Sequence, residues 1–112
     1  NASQTSPSIK VTGEVKDGKV ILSWNPVNVK DFNYYKIVIS KNNSAPKYPE
    51  DGYLFYIEDP SVTKAEIDNS GSYNGGDFGG RIEPGKTYYF SVTLVYGGNK
   101  VPGNAVKLTF PD

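Results

Sequence analysis

The sequence contains no cysteine, no histidine and no methionine, and it has a single tryptophan. Without cysteine there is no disulfide framework, no thiolate metal site and no cysteine nucleophile. Without histidine the chain lacks the commonest general base near neutral pH and the commonest ligand of transition metals. We therefore predict a protein that is not an enzyme, needs no cofactor and holds no transition metal.

The chain also lacks a net charge and any long hydrophobic run. Its 12 Lys and Arg residues balance 12 Asp and Glu residues, and Arg81 is the only arginine. A zero balance gives no general attraction to nucleic acid or to an anionic membrane. No apolar run approaches the roughly 20 residues of a membrane span. We expect neither nucleic-acid binding nor membrane insertion.

The residues that are present favour one all-β domain. A chain of 112 residues fits one domain, and its large apolar residues are mainly Val, Ile, Leu, Tyr and Phe, which suit a pleated sheet. Twelve glycines and eight prolines divide it into short segments. The small, polar residues 1–7 are interpreted as a linker or cloning remnant, and residues 8–112 as the domain.

Seven segments alternate apolar and polar residues between turn signals. They cover residues 9–15, 19–24, 34–40, 53–57, 64–68 and 87–96, with a last strand that carries Val106, Leu108 and Phe110. Short alternating strands of this kind predict a seven-stranded antiparallel Greek-key sandwich. Trp24 shares an alternating face with Val20 and Leu22, so we interpret it as a core residue rather than a sugar-stacking ring.

Three motifs, in this order, resemble the fibronectin type III family. They are Val20-x-Leu22-x-Trp24-x-Pro26, Tyr35-x-Ile37 and Ile82-x-Pro84-Gly85-x-x-Tyr88-x-Phe90-x-Val92. The resemblance covers nearly all of residues 8–111 and implies an immunoglobulin-like sandwich. It also implies a tyrosine corner, in which the Tyr88 hydroxyl bonds to backbone a few residues upstream, after the turn at Pro84 and Gly85. Trp24 and Tyr35 would be structural core residues.

Bacterial modules of this family typically serve as spacers or adaptors in secreted polysaccharide-degrading enzymes and in surface proteins. The resemblance thus implies an extracellular or cell-surface location, a multidomain parent chain and a monomeric module. Its partners would be neighbouring domains of the same chain, and a polysaccharide or a cell-surface protein is a further candidate. The chain has no Arg-Gly-Asp triplet, so the integrin-binding motif of the family is not carried over.

Two segments, residues 41–63 and 69–81, are longer than the family usually has. The second is rich in glycine and carries Tyr73 and Phe78, and long loops of this kind are often functional. Two alternatives are open. The rings pack onto the sandwich and fix the segment, or they form a ligand or partner surface together with Tyr48 or Tyr53.

Other exposed groups give weaker signals. Tyr34 and Tyr89 are expected to be isolated surface tyrosines, because they start two antiparallel strands and so lie roughly 15–20 Å apart. Asp59, Asp68 and Asp77 could donate oxygen ligands to calcium, but no stretch matches a calcium loop, and we predict no specific metal site.

Two functions are consistent with these patterns. The first is a non-catalytic spacer and adaptor module that holds neighbouring domains and makes weak protein contacts. The alternative is a small carbohydrate-binding module that uses the aromatic residues around positions 69–81.

Overall fold

The computed structural model describes residues 7–70, 72–75 and 78–111. All of the predicted linker except Pro7 lies outside these residues. The described part forms ten strands: β1 Val11–Lys16, β2 Lys19–Trp24, β3 Phe32–Ser40, β4 Phe55–Ile57, β5 Lys64–Ile67, β6 Tyr73–Gly75, β7 Phe78–Gly80, β8 Thr87–Tyr96, β9 Asn99–Pro102 and β10 Val106–Thr109. No helix long and apolar enough to cross a membrane occurs in these ranges.

Eight of the ten described strands form two antiparallel sheets that pack face to face, and β6 and β7 pair separately. One sheet has the order β1-β2-β5. The other has the order β10-β8-β3-β4, with β9 also paired to β8. The chain crosses between the sheets after β2 and again after β4, as in a Greek key. The predicted antiparallel sandwich is confirmed.

The core lies between the sheets and follows the predicted alternation. Leu22 on β2, Ile37 on β3 and Phe90 and Leu94 on β8 are fully buried there. The strand predicted over residues 87–96 has the observed bounds of β8. Alternation identified this face correctly because a strand with one face in the core repeats its apolar residues every second position.

Three strands were not predicted. The segment 69–81 was expected to lack secondary structure, yet β6 and β7 pair in it as a short hairpin, with Tyr73 opposite Gly80 and Gly75 opposite Phe78. Glycine is a weak strand former, so local propensity does not indicate this hairpin. Burial of the Phe78 ring fixes one of its strands. The third unpredicted strand, β9, precedes β10 and is separated from it by residues 103–105.

The outer face of the larger sheet is also covered. Val38, Ser91 and Thr93 point away from the core by alternation, but all three are fully buried. The segment between β3 and β4, residues 41–54, here called the β3–β4 loop, lies across them. The Ser91 hydroxyl donates to the Pro46 carbonyl at 2.6 Å, and the Thr93 hydroxyl oxygen accepts from the Tyr48 N–H at 3.2 Å.

The two ends of the described chain point in opposite directions. The Asn104 side chain, just before β10, bonds both the N–H and the carbonyl of Val11 at the start of β1, at 2.7 and 2.9 Å. Two residues further along β1, a Cβ on Gly13 would lie 2.7 Å from Leu108 in β10. β1 and β10 therefore lie side by side and run in the same direction. The chain enters at one end of the sandwich and leaves at the other.

Candidate functional site

The hairpin aromatics, Tyr73 and Phe78, lie on the core side of the larger sheet. Phe78 is 3% exposed, and its ring packs edge-on against Tyr88 with centroids 5.6 Å apart. Tyr73 is partly buried against the same core, and this burial raises the pKa of its hydroxyl. Of the two alternatives, these contacts are the ones expected when the rings fix the segment to the sandwich.

Tyr48 and Tyr53 lie on the opposite, outer side of this sheet. Their rings meet edge-on at 5.5 Å, and Tyr53 also contacts Tyr56 of β4 at 6.3 Å. Tyr56 in turn contacts Tyr34 of β3 at 5.4 Å. The prediction that Tyr34 is an isolated surface tyrosine is therefore wrong: Tyr56 of β4 lies beside it, and Tyr53 and Tyr48 of the β3–β4 loop continue the row of rings.

The side chain of Lys36 lies at the centre of these four rings. Its Nζ is 3.5 Å from the ring centroid of Tyr53, 4.4 Å from that of Tyr34, 4.6 Å from that of Tyr56 and 4.9 Å from that of Tyr48. All four distances fall within the 6 Å at which a cation interacts with an aromatic face. We call this arrangement the Lys36 cage.

Strand pairing and loop hydrogen bonds position the cage. Lys36 lies opposite Tyr56 in the β3–β4 ladder, so their side chains emerge on the same face. The loop is held in shape by Asp51, whose Oδ2 accepts from the Asn43 side chain at 3.0 Å and from the Lys47 N–H at 2.9 Å.

The lysine at the centre of the cage is nearly buried, whereas one of the surrounding rings is exposed to solvent. The whole Lys36 residue is 4% exposed, whereas Tyr56 is 48% exposed. Tyr34, Tyr48 and Tyr53 are partly buried. Lysine is almost never this buried without compensating contacts, so the four ring faces are the main compensation that the described geometry provides.

Sequence reasoning named Tyr48 and Tyr53 only as possible companions of Tyr73 and Phe78, from which the sheet separates them, and it missed Lys36 and Tyr56. Alternation in β3 does indicate that Lys36 shares a face with Tyr34, two positions away. The available signal was therefore a lysine flanked by tyrosine on an outer face, followed by a long loop with two more tyrosines.

The residues predicted to be structural occupy the expected places. The Tyr88 hydroxyl accepts a hydrogen bond from the Glu83 N–H at 2.9 Å, which forms the expected tyrosine corner. Gly85 follows Pro84 in the turn with a φ of 79°, a conformation that favours glycine.

The core rings Trp24 and Tyr35 contact each other edge-on at 5.2 Å. The Tyr35 hydroxyl donates to the Pro60 carbonyl at 2.8 Å. Burial raises the pKa of this hydroxyl.

The acidic residues considered for calcium serve local turns. Asp59 Oδ1 accepts from the hydroxyl and the N–H of Ser61, and Asp68 Oδ1 accepts in the same way from Ser70. These bonds lower the pKa of both carboxyls. Asp77 lies outside the described residues. Within the described ranges, no three acidic side chains come together as a cation site.

A shallow depression lies at the tyrosine-corner end of the sandwich. It measures about 230 Å³ and is lined by Lys41, Glu83, Lys86, Thr87 and Tyr88. Ligand pockets usually measure roughly 300–1,000 Å³, so this depression is small for a ligand site.

Comparison with known proteins rests on structure alone. No family model and no curated protein matches the chain. Among solved structures, the chicken CNTN1 FN1–FN3 domains match 96% of the chain at 10% identity with a TM-score of 0.63. A human fibronectin type III domain from the KIAA0970 protein matches 94% at 18% identity, also with a TM-score of 0.63.

The fold is fibronectin type III-like. Another match is the spore cortex lytic enzyme SleM of Clostridium perfringens, at 16% identity and a TM-score of 0.58 over 94% of this chain. The chain spans 32% of the chicken structure, 28% of the clostridial one and 74% of the human domain. Identities this low establish the fibronectin type III-like architecture and nothing about ligands.

Proposed function

We propose that this fibronectin type III-like domain is a non-catalytic spacer and adaptor in a larger extracellular bacterial protein. The observation that carries the proposal is the parallel course of β1 and β10, which makes the chain enter and leave at opposite ends of the sandwich. Neighbouring domains joined to the two ends would be held apart by the length of the module. The partners are those neighbouring domains.

Hydrogen bonds at both ends support a stiff connection. Before β1, the Asn25 side chain accepts from the Lys10 N–H at 2.7 Å and donates to the Ser8 carbonyl at 2.8 Å. After β10, the Phe110 N–H donates to the Lys86 carbonyl at 2.8 Å, and the Phe110 ring is buried. Fixed end segments transmit orientation between domains better than flexible ones do.

The test measures the distance between the two ends. The natural chain has no cysteine, so Ser8→Cys with Thr109→Cys gives two unique sites for spin labels. We expect one narrow distance distribution centred at roughly 25 Å plus the label arms, because about eight residues of strand separate the two positions at about 3.3 Å each. The control pair is Lys19→Cys with Glu66→Cys. The natural side chains of these two residues lie on adjacent strands, with Lys19 Nζ 3.0 Å from Glu66 Oε1.

A broad or short distribution for the Ser8–Thr109 pair would contradict the spacer role. The same purified module should also show no retention on insoluble or soluble polysaccharides. Retention that survives washing would favour the second candidate.

That second candidate is a carbohydrate-binding module, and one observation favours it. Tyr56 is half exposed beside the partly exposed Tyr34 on the outer sheet face, where their rings could stack on a sugar. The hairpin of residues 73–80 offers less ring surface because Phe78 is in the core. If the module binds a polysaccharide, Tyr56→Ala should abolish binding while Tyr73→Ala leaves it unchanged. The reverse result would place the sugar at the hairpin.

A further inference from the structure

The Lys36 cage has the features of a built cation site. Aromatic faces carry negative electrostatic potential, and here four of them surround one ammonium group at 3.5–4.9 Å. The rings also contact one another in series, from Tyr34 through Tyr56 and Tyr53 to Tyr48. Each ring is therefore held in place by a neighbour as well as by the cation.

Another lysine on the same outer face shows what an ordinary contact looks like. Lys107 lies opposite Tyr89 in the ladder, and its Nζ is 5.9 Å from that single ring. Lys107 is exposed and Lys36 is 4% exposed. Pairing of a lysine with an adjacent tyrosine thus gives one distant contact at an exposed side chain, whereas the cage gives four closer contacts at a side chain that is nearly buried.

The four rings come from both parts of the outer face. Tyr34 and Tyr56 lie on β3 and β4, while Tyr48 and Tyr53 belong to the β3–β4 loop. An ammonium group at the centre therefore joins the loop to the sheet. Removing it leaves a void lined by ring faces whose favourable contact has been lost.

We propose that these four tyrosines form a binding site for an alkylammonium group, that Lys36 is its built-in ligand, and that the site binds a free alkylammonium ion once the Lys36 side chain is removed. In the natural chain the lysine closes the site to other cations and latches the β3–β4 loop onto the sheet. The recognised chemistry is a compact organic cation with an apolar stem.

The test is chemical rescue of Lys36→Ala. The probe is propylammonium chloride, which restores the three carbons and the charge that the truncation removes, and 1-propanol is the neutral match at equal ionic strength set with sodium chloride. We expect propylammonium to raise the melting temperature of the variant saturably and to bind about tenfold more tightly than propanol. The unmodified protein and Lys107→Ala should show no saturable rise.

Three results would overturn the proposal: equal binding of the cation and the alcohol, no binding of either, or an equal response in Lys107→Ala. A measurement on the unmodified protein covers the case in which Lys36→Ala does not fold. Ring currents of four facing tyrosines should shift the Lys36 ε-CH₂ protons upfield of those of every other lysine in the NMR spectrum. A Lys36 resonance among the other lysines would exclude the cage.

Discussion

Two long connections of this sandwich carry aromatic side chains, and they use them in opposite ways. The connection between β5 and β8 contributes Phe78, whose ring enters the core beside Tyr88. The β3–β4 loop contributes Tyr48 and Tyr53, which turn to the outer face and meet an ammonium group. Both connections are rich in turn residues, so composition alone does not distinguish them.

The difference follows from the strand positions that each connection reaches. Tyr88 and Lys36 both lie on the larger sheet, but alternation directs Tyr88 inward and Lys36 outward. A ring that arrives on the inner face is stabilised by losing water. A ring that arrives beside Lys36 is stabilised by the charge and can keep its hydroxyl in solvent. The partner on the sheet therefore determines what an aromatic residue of the loop does.

The largest expected effect tests the connection between β5 and β8, whose aromatic ring packs in the core. Phe78→Ala should lower the free energy of unfolding by about 3–5 kcal/mol, because it removes a fully buried ring and leaves a cavity. The matched change on the outer region is Tyr56→Ala, which removes a ring that is 48% exposed and should cost much less. Denaturant melts of both variants give the comparison. Equal losses would mean that the two regions do not differ in burial.

A smaller effect separates two adjacent tyrosines on β8. Tyr88→Phe should cost about 1–3 kcal/mol, since it removes the acceptor of the Glu83 N–H at a partly buried site. Tyr89→Phe, the control, removes a hydroxyl from the outer face and should change the melting midpoint very little. A Tyr89 variant as destabilised as the Tyr88 variant would contradict the assignment of inner and outer faces.

The next prediction tests whether the Asp51 carboxylate holds the β3–β4 loop in shape. Asp51→Ala removes the carboxylate that accepts from Asn43 and Lys47, at a cost of about 1 kcal/mol for exposed hydrogen bonds. We expect faster amide hydrogen exchange at Tyr48 and a partial return of the Lys36 ε-CH₂ shift towards that of other lysines. Glu50→Ala, one residue earlier and in only a long 3.8 Å ion pair with Lys47, should change neither. Identical behaviour of the two variants would show that Asp51 does not organise the loop.

The smallest expected effect comes from Lys19 and Glu66, a surface ion pair that lies outside both regions and serves as a baseline. The pKa of Glu66 is lowered, first by the hydrogen bond from Lys19 and then by its charge. Because the carboxyl pKa in the folded state lies below its unfolded value of 4.5, the stabilisation is present above that pH and is lost as the pH falls through the folded pKa.

Glu66→Gln should therefore lower the melting temperature slightly at pH 7, and this loss should shrink as the pH falls through the folded pKa of the carboxyl. Glu14→Gln on β1 is the exposed control. A larger loss at pH 2 than at pH 7 would reverse the sign of this linkage.

Local sequence patterns predicted the structural features that depend on a single strand. Alternation located the core faces and the bounds of β8, and the resemblance of the Pro84–Gly85 turn and Tyr88 to a fibronectin type III motif implied the tyrosine corner. The Lys36 cage was not predicted because it depends on contacts between β3 and residues 12 and 17 positions later. In the strand pattern Lys36 is simply a polar residue facing outward. The hairpin of β6 and β7 was missed for a related reason, since burial of one ring, rather than strand propensity, fixes it.

The break between β9 and β10 has a consequence for the free edge of β1. The free edge of a sheet offers unpaired N–H and carbonyl groups to any strand that approaches. The Asn104 side chain, which lies in this break, forms hydrogen bonds with both the N–H and the carbonyl of Val11 at the edge of β1. At Val11 an amide side chain thus takes the place of a neighbouring strand, so this position of the edge already has its hydrogen-bond partners.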